Sequence, residues 1–241
     1  MSTTQPVFNG TSYDLTGPVD APVVVLIHGL GLCRDVFVGI LPAFADFRVL
    51  SYDLYGHGAS APPPNTASLT VYADQLAGLM GHLGIASAHI VGFSIGGMIN
   101  RRFALDHPQL VKSLTILNSP HDRGTDAQAV VEARAKSVRD QGAFSTFDAA
   151  LARWFTPAYL ATGTGPALVR QWREVVDAES YAQAAWVLAN GVVELTGRDG
   201  EITAPTLVMT CENDSGSTPN MSHNITADIL NARTIIVPDL Q

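Results

Sequence analysis

The sequence predicts an α/β fold: a mostly parallel central sheet flanked by helices, with a helical cap inserted near its middle. Three observations carry this. Short apolar runs rich in Val, Ile and Leu alternate with helical periodicity through the first 119 residues. Residues 120–197 break that rhythm; they are helical in character and hold all three tryptophans, Trp154, Trp172 and Trp186. The alternation then resumes. The division expected is core over 1–119, cap over 120–197 and core again over 198–241.

Taken in order, residues 22–27 (Pro-Val-Val-Val-Leu-Ile) read as a buried strand ending in the glycine-punctuated loop His28-Gly29-Leu30-Gly31-Leu32. After a short helix, residues 47–53 form the next strand. Residues 69–83 fit a helix, with Leu69, Tyr72, Ala73, Leu76, Leu79, Met80 and Leu83 at core-facing spacing. A strand over 88–92, a tight turn, a helix to about 107 and a strand over 114–118 complete the first part. Beyond the cap come a strand over 205–210, a helix near 219–231 and a last strand over 234–238. Pro62-Pro63-Pro64 reads as a rigid surface turn.

At 241 residues, with 46% apolar and 15% charged side chains, the chain can bury a large core and is not disordered. Its net charge of −8, with no basic run, argues against nucleic acid as a partner. The first six residues are polar, so no secretory signal is read there. The longest apolar run, residues 23–27, is too short to cross a bilayer, and no membrane association is expected. Cys33 and Cys211 lie far apart in no metal-like spacing. They read as reduced thiols of a cytoplasmic protein, and no metal site is expected. A homo-oligomer is left open.

Ser94 stands in Gly92-Phe93-Ser94-Ile95-Gly96-Gly97, behind a strand-like run and ahead of a helix-like one. In that context Gly-x-Ser-x-Gly is a nucleophile elbow rather than an ordinary glycine turn. The sharp turn lifts the hydroxyl into solvent, and small neighbours are needed because the backbone closes on itself there.

Four ordered motifs now coincide: His28-Gly29 after a strand, Asp53-x-x-Gly56-x-Gly58-x-Ser60, Gly92-x-Ser94-x-Gly96-Gly97, and Ala204-Pro205-Thr206-Leu207-Val208 leading to Asp214. Together they resemble the α/β-hydrolase superfamily over nearly the whole chain. Arg153-Trp154-Phe155-Thr156-Pro157 and Gly96-Gly97-Met98-Ile99 are similar to the 3-oxoadipate enol-lactonase and small carboxylesterase branch. The resemblance implies Ser94 as nucleophile, Asp214 as the acid that orients a histidine, and the backbone N–H groups of Leu30 and Ile95 as an oxyanion hole. Glu212 is the rival acid, but the turn Asn213-Asp214-Ser215-Gly216 is better suited to present Asp214. Cys211 departs from the pattern, standing where relatives often carry glycine.

The same resemblance implies a histidine just after the last strand, and the sequence given ends at Gln241, about one residue short of that place. The expectation is that the intact product continues with histidine there. Of the seven histidines present, His223 lies nearest the acid in sequence, whereas His28 and His57 read as structural loop residues.

A small or medium ester or lactone is the substrate class expected, with no cofactor, because acyl transfer to water needs only the triad and the oxyanion hole. Trp154, Phe155, Tyr159, Trp172 and Trp186 are candidates for an aromatic lining, and His28 stands beside them as a candidate wall residue. Arg123 is a candidate to meet a substrate carboxylate, as an enol-lactone would require. Two other readings stay open: carbon–carbon bond hydrolysis on the same fold, and an inactive or small-molecule-binding relative.

Overall fold

The computed structural model describes residues 6–241. The polar leader over residues 1–5, part of the stretch read for a secretory signal, lies outside the described residues. Eight strands form one sheet in the order β1-β2-β4-β3-β5-β6-β7-β8. They are β1 (Val7–Phe8), β2 (Thr11–Thr16), β3 (Val23–Ile27), β4 (Arg48–Tyr52), β5 (Ala88–Phe93), β6 (Val111–Leu117), β7 (Thr206–Cys211) and β8 (Ala232–Val237). The hairpin β1–β2 and its seam with β4 are antiparallel, and every other pairing is parallel.

The central strands are covered on both faces, which is why their sequences run as unbroken β-branched and aliphatic residues. Val25, Leu26, Ile27, Leu50 and Ile90 have no exposed surface. The helix α1 (Leu69–His82) opens on Ser68, whose side chain accepts the Val71 N–H at 3.1 Å, and it buries Leu69, Tyr72, Ala73, Leu76, Leu79 and Met80. Beside it lies α2 (Ile95–Asp106), and α8 (Pro219–Asp228) fills the far end between β7 and β8. The short helix expected after Cys33 is a 3₁₀ stretch, Arg34–Phe44, with Pro42 inside it.

Between β6 and β7 the chain runs through α3 (Gly124–Gln141), α4 (Phe147–Trp154), α5 (Pro157–Leu160), α6 (Thr164–Glu174) and α7 (Ala178–Asn190), with no strand among them. One core side chain meets both ends of this insertion. Arg101 of α2, fully buried, donates from Nη2 to the Pro120 carbonyl (2.6 Å) and from Nη1 to Asp199 (2.9 Å). The loop after β4 is fixed by a second buried pair. Asp53 accepts from the Arg34 backbone N–H (2.9 Å), the Ala59 N–H (2.9 Å) and the Arg34 guanidinium, while Ser60 donates to the Asp53 carbonyl (2.7 Å). Among the described residues no helix is long and apolar enough to cross a membrane.

Candidate active site

Ser94 occupies the one-residue corner between β5 and α2, with φ 58° and ψ −117°. A non-glycine residue pays for positive φ, and such strain persists only where the surroundings enforce it. Two close approaches enforce it here. A β-carbon on Gly92 would come within 2.1 Å of the Gly96 carbonyl oxygen, and one on Gly96 within 2.4 Å of the Ile27 carbonyl oxygen. Only glycine lets the start of α2 press against the ends of β5 and β3. The corner is tied further by the Ser94 N–H donating to the Leu117 carbonyl of β6 (2.8 Å).

Ser94 opens into a cavity of about 410 Å³, a size suited to a small organic molecule. Its floor comes from the carboxyl ends of β3, β5, β6 and β7, which bring Gly29, Leu30, Ser94, Asn118 and Asp214 together. Its roof comes from the insertion, through Val138, Trp154, Tyr181 and Leu188 among others. Ile95 is the first residue of α2, so its N–H has no acceptor within the helix. Leu30 lies in the loop after β3, and among the described residues no backbone carbonyl accepts its N–H.

The Asp214 carboxylate is anchored on both oxygens. Oδ1 accepts the Gly216 and Ser217 N–H groups, each at 2.8 Å, and Oδ2 accepts from Asn118 Nδ2 (2.8 Å) and Thr210 Oγ1 (3.3 Å). These contacts on both oxygens fix its place. Glu212 is exposed, accepts the Asp239 N–H (3.0 Å) and is absent from the cavity wall. Asn118, which the sequence reading did not single out, sits in the left-handed region (φ 45°) at the end of β6. Thr210 and Asn118 are visible only once β6 and β7 are known to be neighbours.

Several sequence expectations need correction. His28 is fully buried behind the loop and does not line the cavity. Its Nδ1 bonds the Gly29 carbonyl (2.8 Å) and its Nε2 accepts the Leu54 N–H (3.0 Å), so both ring nitrogens are committed. Burial lowers its pKa to about 4, and burial together with His28 lowers that of His57 to about 3. Phe155 packs on Leu32, Phe147, Leu151 and Val169 instead of lining the cavity, and Trp172 joins that cluster. Trp186 is 43% exposed and faces outward beside Lys136 and Arg139, and Tyr159 is exposed. Trp154 alone of these aromatic candidates lines the cavity.

Arg123 does line it, yet its Nη1 and Nη2 donate to the Ala189 (3.2 Å) and Leu188 (3.0 Å) carbonyls, and burial lowers its pKa to about 10. Cys211, Arg134, Arg173 and Gln241 are wall residues that sequence reasoning missed. Arg173 carried a signal: it falls four residues after Val169 on the buried face of α6, where an apolar residue belongs. Among the described residues no histidine lines the cavity. His223 is exposed on α8, and His121 bonds Asp228 (2.9 Å) on the far side of the insertion's ends.

A sequence profile of the α/β-hydrolase fold matches residues 22–162. The chain belongs to the α/β-hydrolase fold family. Its similarity to (E)-2-((N-methylformamido)methylene)succinate hydrolase of Acinetobacter baylyi is 28% over 217 residues, 89% of this chain and 81% of that protein. The 3-oxoadipate enol-lactonase 2 of the same organism is 28% identical over 211 residues, 86% and 77% of the two chains. Among solved structures, the enol-lactonase from Burkholderia xenovorans superposes with a TM-score of 0.88 at 28% identity, covering 97% of this chain and 91% of that one. The chain is thus an α/β-fold hydrolase, similar in sequence and fold to enol-lactonases.

Proposed function

We propose that this hydrolase cleaves a small or medium carboxylic ester or lactone through an acyl-enzyme on Ser94. The observation that carries the reading is the strained Ser94 corner, which opens on the same cavity as Leu30 and Asp214. Attack of Ser94 Oγ on the carbonyl carbon places a negative charge on its oxygen. The N–H groups of Ile95 and Leu30 are the donors for that charge, each worth about 3–4 kcal/mol in such a role. The serine proton must pass to a general base and then to the leaving alkoxide; Asp214 is the carboxylate that would orient an imidazole in that role, and none of the described histidines lines the cavity. Water repeats the sequence on the acyl-enzyme and releases the acid. The lactonases named above support an ester-type bond as the target.

The test is p-nitrophenyl butyrate turnover together with fluorophosphonate labelling read by peptide mass. The expected result is a single adduct on the Ser94 peptide and a turnover loss of about 10⁴-fold or more in Ser94→Ala. An adduct elsewhere, or turnover that survives Ser94→Ala, would sink the reading.

A further inference from the structure

Where the insertion leaves and rejoins the sheet, three side chains that no step of the hydrolysis uses come together. His121 follows β6 at the start of the insertion, Asp199 opens the 3₁₀ turn Asp199–Glu201 on which the chain returns, and Asp228 is the last residue of α8. A ring nitrogen or carboxylate oxygen of each lies within 4.8 Å of those of the other two. The backbone is close-packed here as well: a β-carbon on Gly200 would lie 3.4 Å from the Asp228 carbonyl oxygen. None of the three lines the Ser94 cavity. Sequence spacing could not show the group, because its members stand far apart in the chain.

Asp199 separates this trio from an ordinary surface pair. It has no exposed surface, its Oδ2 accepts from Arg101 Nη1 (2.9 Å), and its Oδ1 has no hydrogen-bond partner. Arg101 has little left for that second oxygen, since its Nε goes to the Gly97 carbonyl (3.1 Å) and its Nη2 to the Pro120 carbonyl (2.6 Å). An unmatched carboxylate oxygen in the interior is costly, and a cation is what it lacks. A carboxylate that ligates through one oxygen while the other is hydrogen-bonded is well supported as a metal ligand. His121 and Asp228 already stand at a coordinating spacing. Nε2 and Oδ2 are 2.9 Å apart; two ligands about 2.0–2.1 Å from a zinc ion and about 90–110° from each other lie roughly 2.9–3.4 Å apart. An ion entering there takes the place of the hydrogen they share, and Nδ1, which has no partner, then carries the ring proton. Asp228 is exposed, which gives the ion a way in.

We propose that His121, Asp199 and Asp228 bind one Zn²⁺ ion, with water completing its shell, as a structural tie between the two ends of the insertion and α8. The imidazole selects a borderline ion of this kind over Ca²⁺ or Mg²⁺, which take oxygen ligands. Arg101 offsets one of the two carboxylates and leaves the trio with net negative charge for the dication. The site stands apart from the Ser94 cavity and does not depend on the reading of Ser94 as nucleophile.

The experiment is calorimetric titration of the tag-free, EDTA-treated protein with ZnCl₂, paired with thermal melts. One ion per chain is expected to bind, and Tm should rise with zinc concentration because only the folded chain brings the three ligands together. CaCl₂ at the same concentrations should leave Tm where it was. Asp228→Asn keeps the shape of an exposed side chain, and His121→Gln alters a different element. Each should weaken zinc binding about a hundredfold or more, since loss of a residue that merely supports a ligand already costs about 10–100-fold. Cys211→Ser, on the cavity wall, should bind zinc as the parent does. Absence of zinc uptake by the parent overturns the proposal, and that result needs no substitution. Full binding retained by a folded Asp228→Asn protein overturns it too, as do equal stabilisation by calcium and uptake that Cys211→Ser abolishes.

Discussion

The sheet core and the helical insertion handle charge in opposite ways. In the core, Arg34 is matched to Asp53 and Arg101 to Asp199, both pairs buried and aligned by hydrogen bonds. In the insertion, Arg134, Arg153 and Arg173 face the cavity with no carboxylate within ion-pair distance among the described residues. The packing differs likewise. β3 and the turn around Ser94 are held by backbone approaches that admit no β-carbon, whereas the insertion leaves Trp186, Val175 and Val193 in solvent. A cation buried in the core needs its counter-charge, whereas the roof leaves cations of the cavity wall without one.

The strongest way to break this contrast is to unpair a core charge. Asp53→Ala takes the buried partner from the Arg34 guanidinium, which keeps only the partly exposed Asp14, and leaves the Arg34 and Ala59 N–H groups without acceptors; it should cost about 3–5 kcal/mol, read by urea unfolding. A loss under about 1 kcal/mol would mean that the core is no more demanding than the roof.

Acid should then find the core first. His28 and His57 have folded pKa values of about 4 and about 3, below the unfolded value of 6.5, so the unfolded chain binds more protons between those limits. Stability is fully expressed above pH 6.5 and falls as pH drops toward 4. These two groups set a slope of up to about 2.7 kcal/mol per pH unit. His57→Gln should remove close to one proton from that slope in pH-dependent unfolding curves, and an unchanged slope would count against a neutral buried imidazole.

Ser94→Gly sharpens the contrast from the other side. It releases the positive-φ strain of the elbow and should raise stability by about 1 kcal/mol while abolishing turnover. Thermal melts that show a loss instead would say the corner is relaxed with serine in place. The smallest effect is expected in the roof: Trp186→Ala, 43% exposed, should stay within about 0.5 kcal/mol of the parent and leave KM unaltered. A KM shift there would draw Trp186 back into the binding surface.

Elements whose sequences are dictated by two-sided burial were legible in advance. The strand read over 22–27 is β3, and the helix read over 69–83 is α1 to within a residue. The elbow was legible because Gly92 and Gly96 answer a backbone clash that no other residue can. The hairpin β1–β2 escaped because Thr11-Ser12-Tyr13-Asp14 carries no apolar run; the Ser12 N–H of its buried stretch is taken up by a distant partner, Ser60 Oγ. The cavity wall was legible only in part for a related reason. Whether an aromatic on α4 or α6 faces the cavity or its neighbouring helix depends on helix orientation, which spacing does not encode, so Trp154 fell inside and Phe155 outside. Arg173 was legible only as a charge at an apolar spacing on α6; its place opposite Gly31 needed the fold.

The grip of Arg101 on the two ends of the insertion has an evolutionary corollary. Because the chain leaves the core at Pro120 and returns at Asp199 within reach of one guanidinium, the two ends of the 78 residues between them are gathered by a single side chain. A different roof grafted between those points inherits that grip and leaves the elbow untouched. Selection can therefore rewrite what the protein accepts without renegotiating how the serine is held, and a library of grafted roofs on this one sheet is the laboratory form of the same freedom.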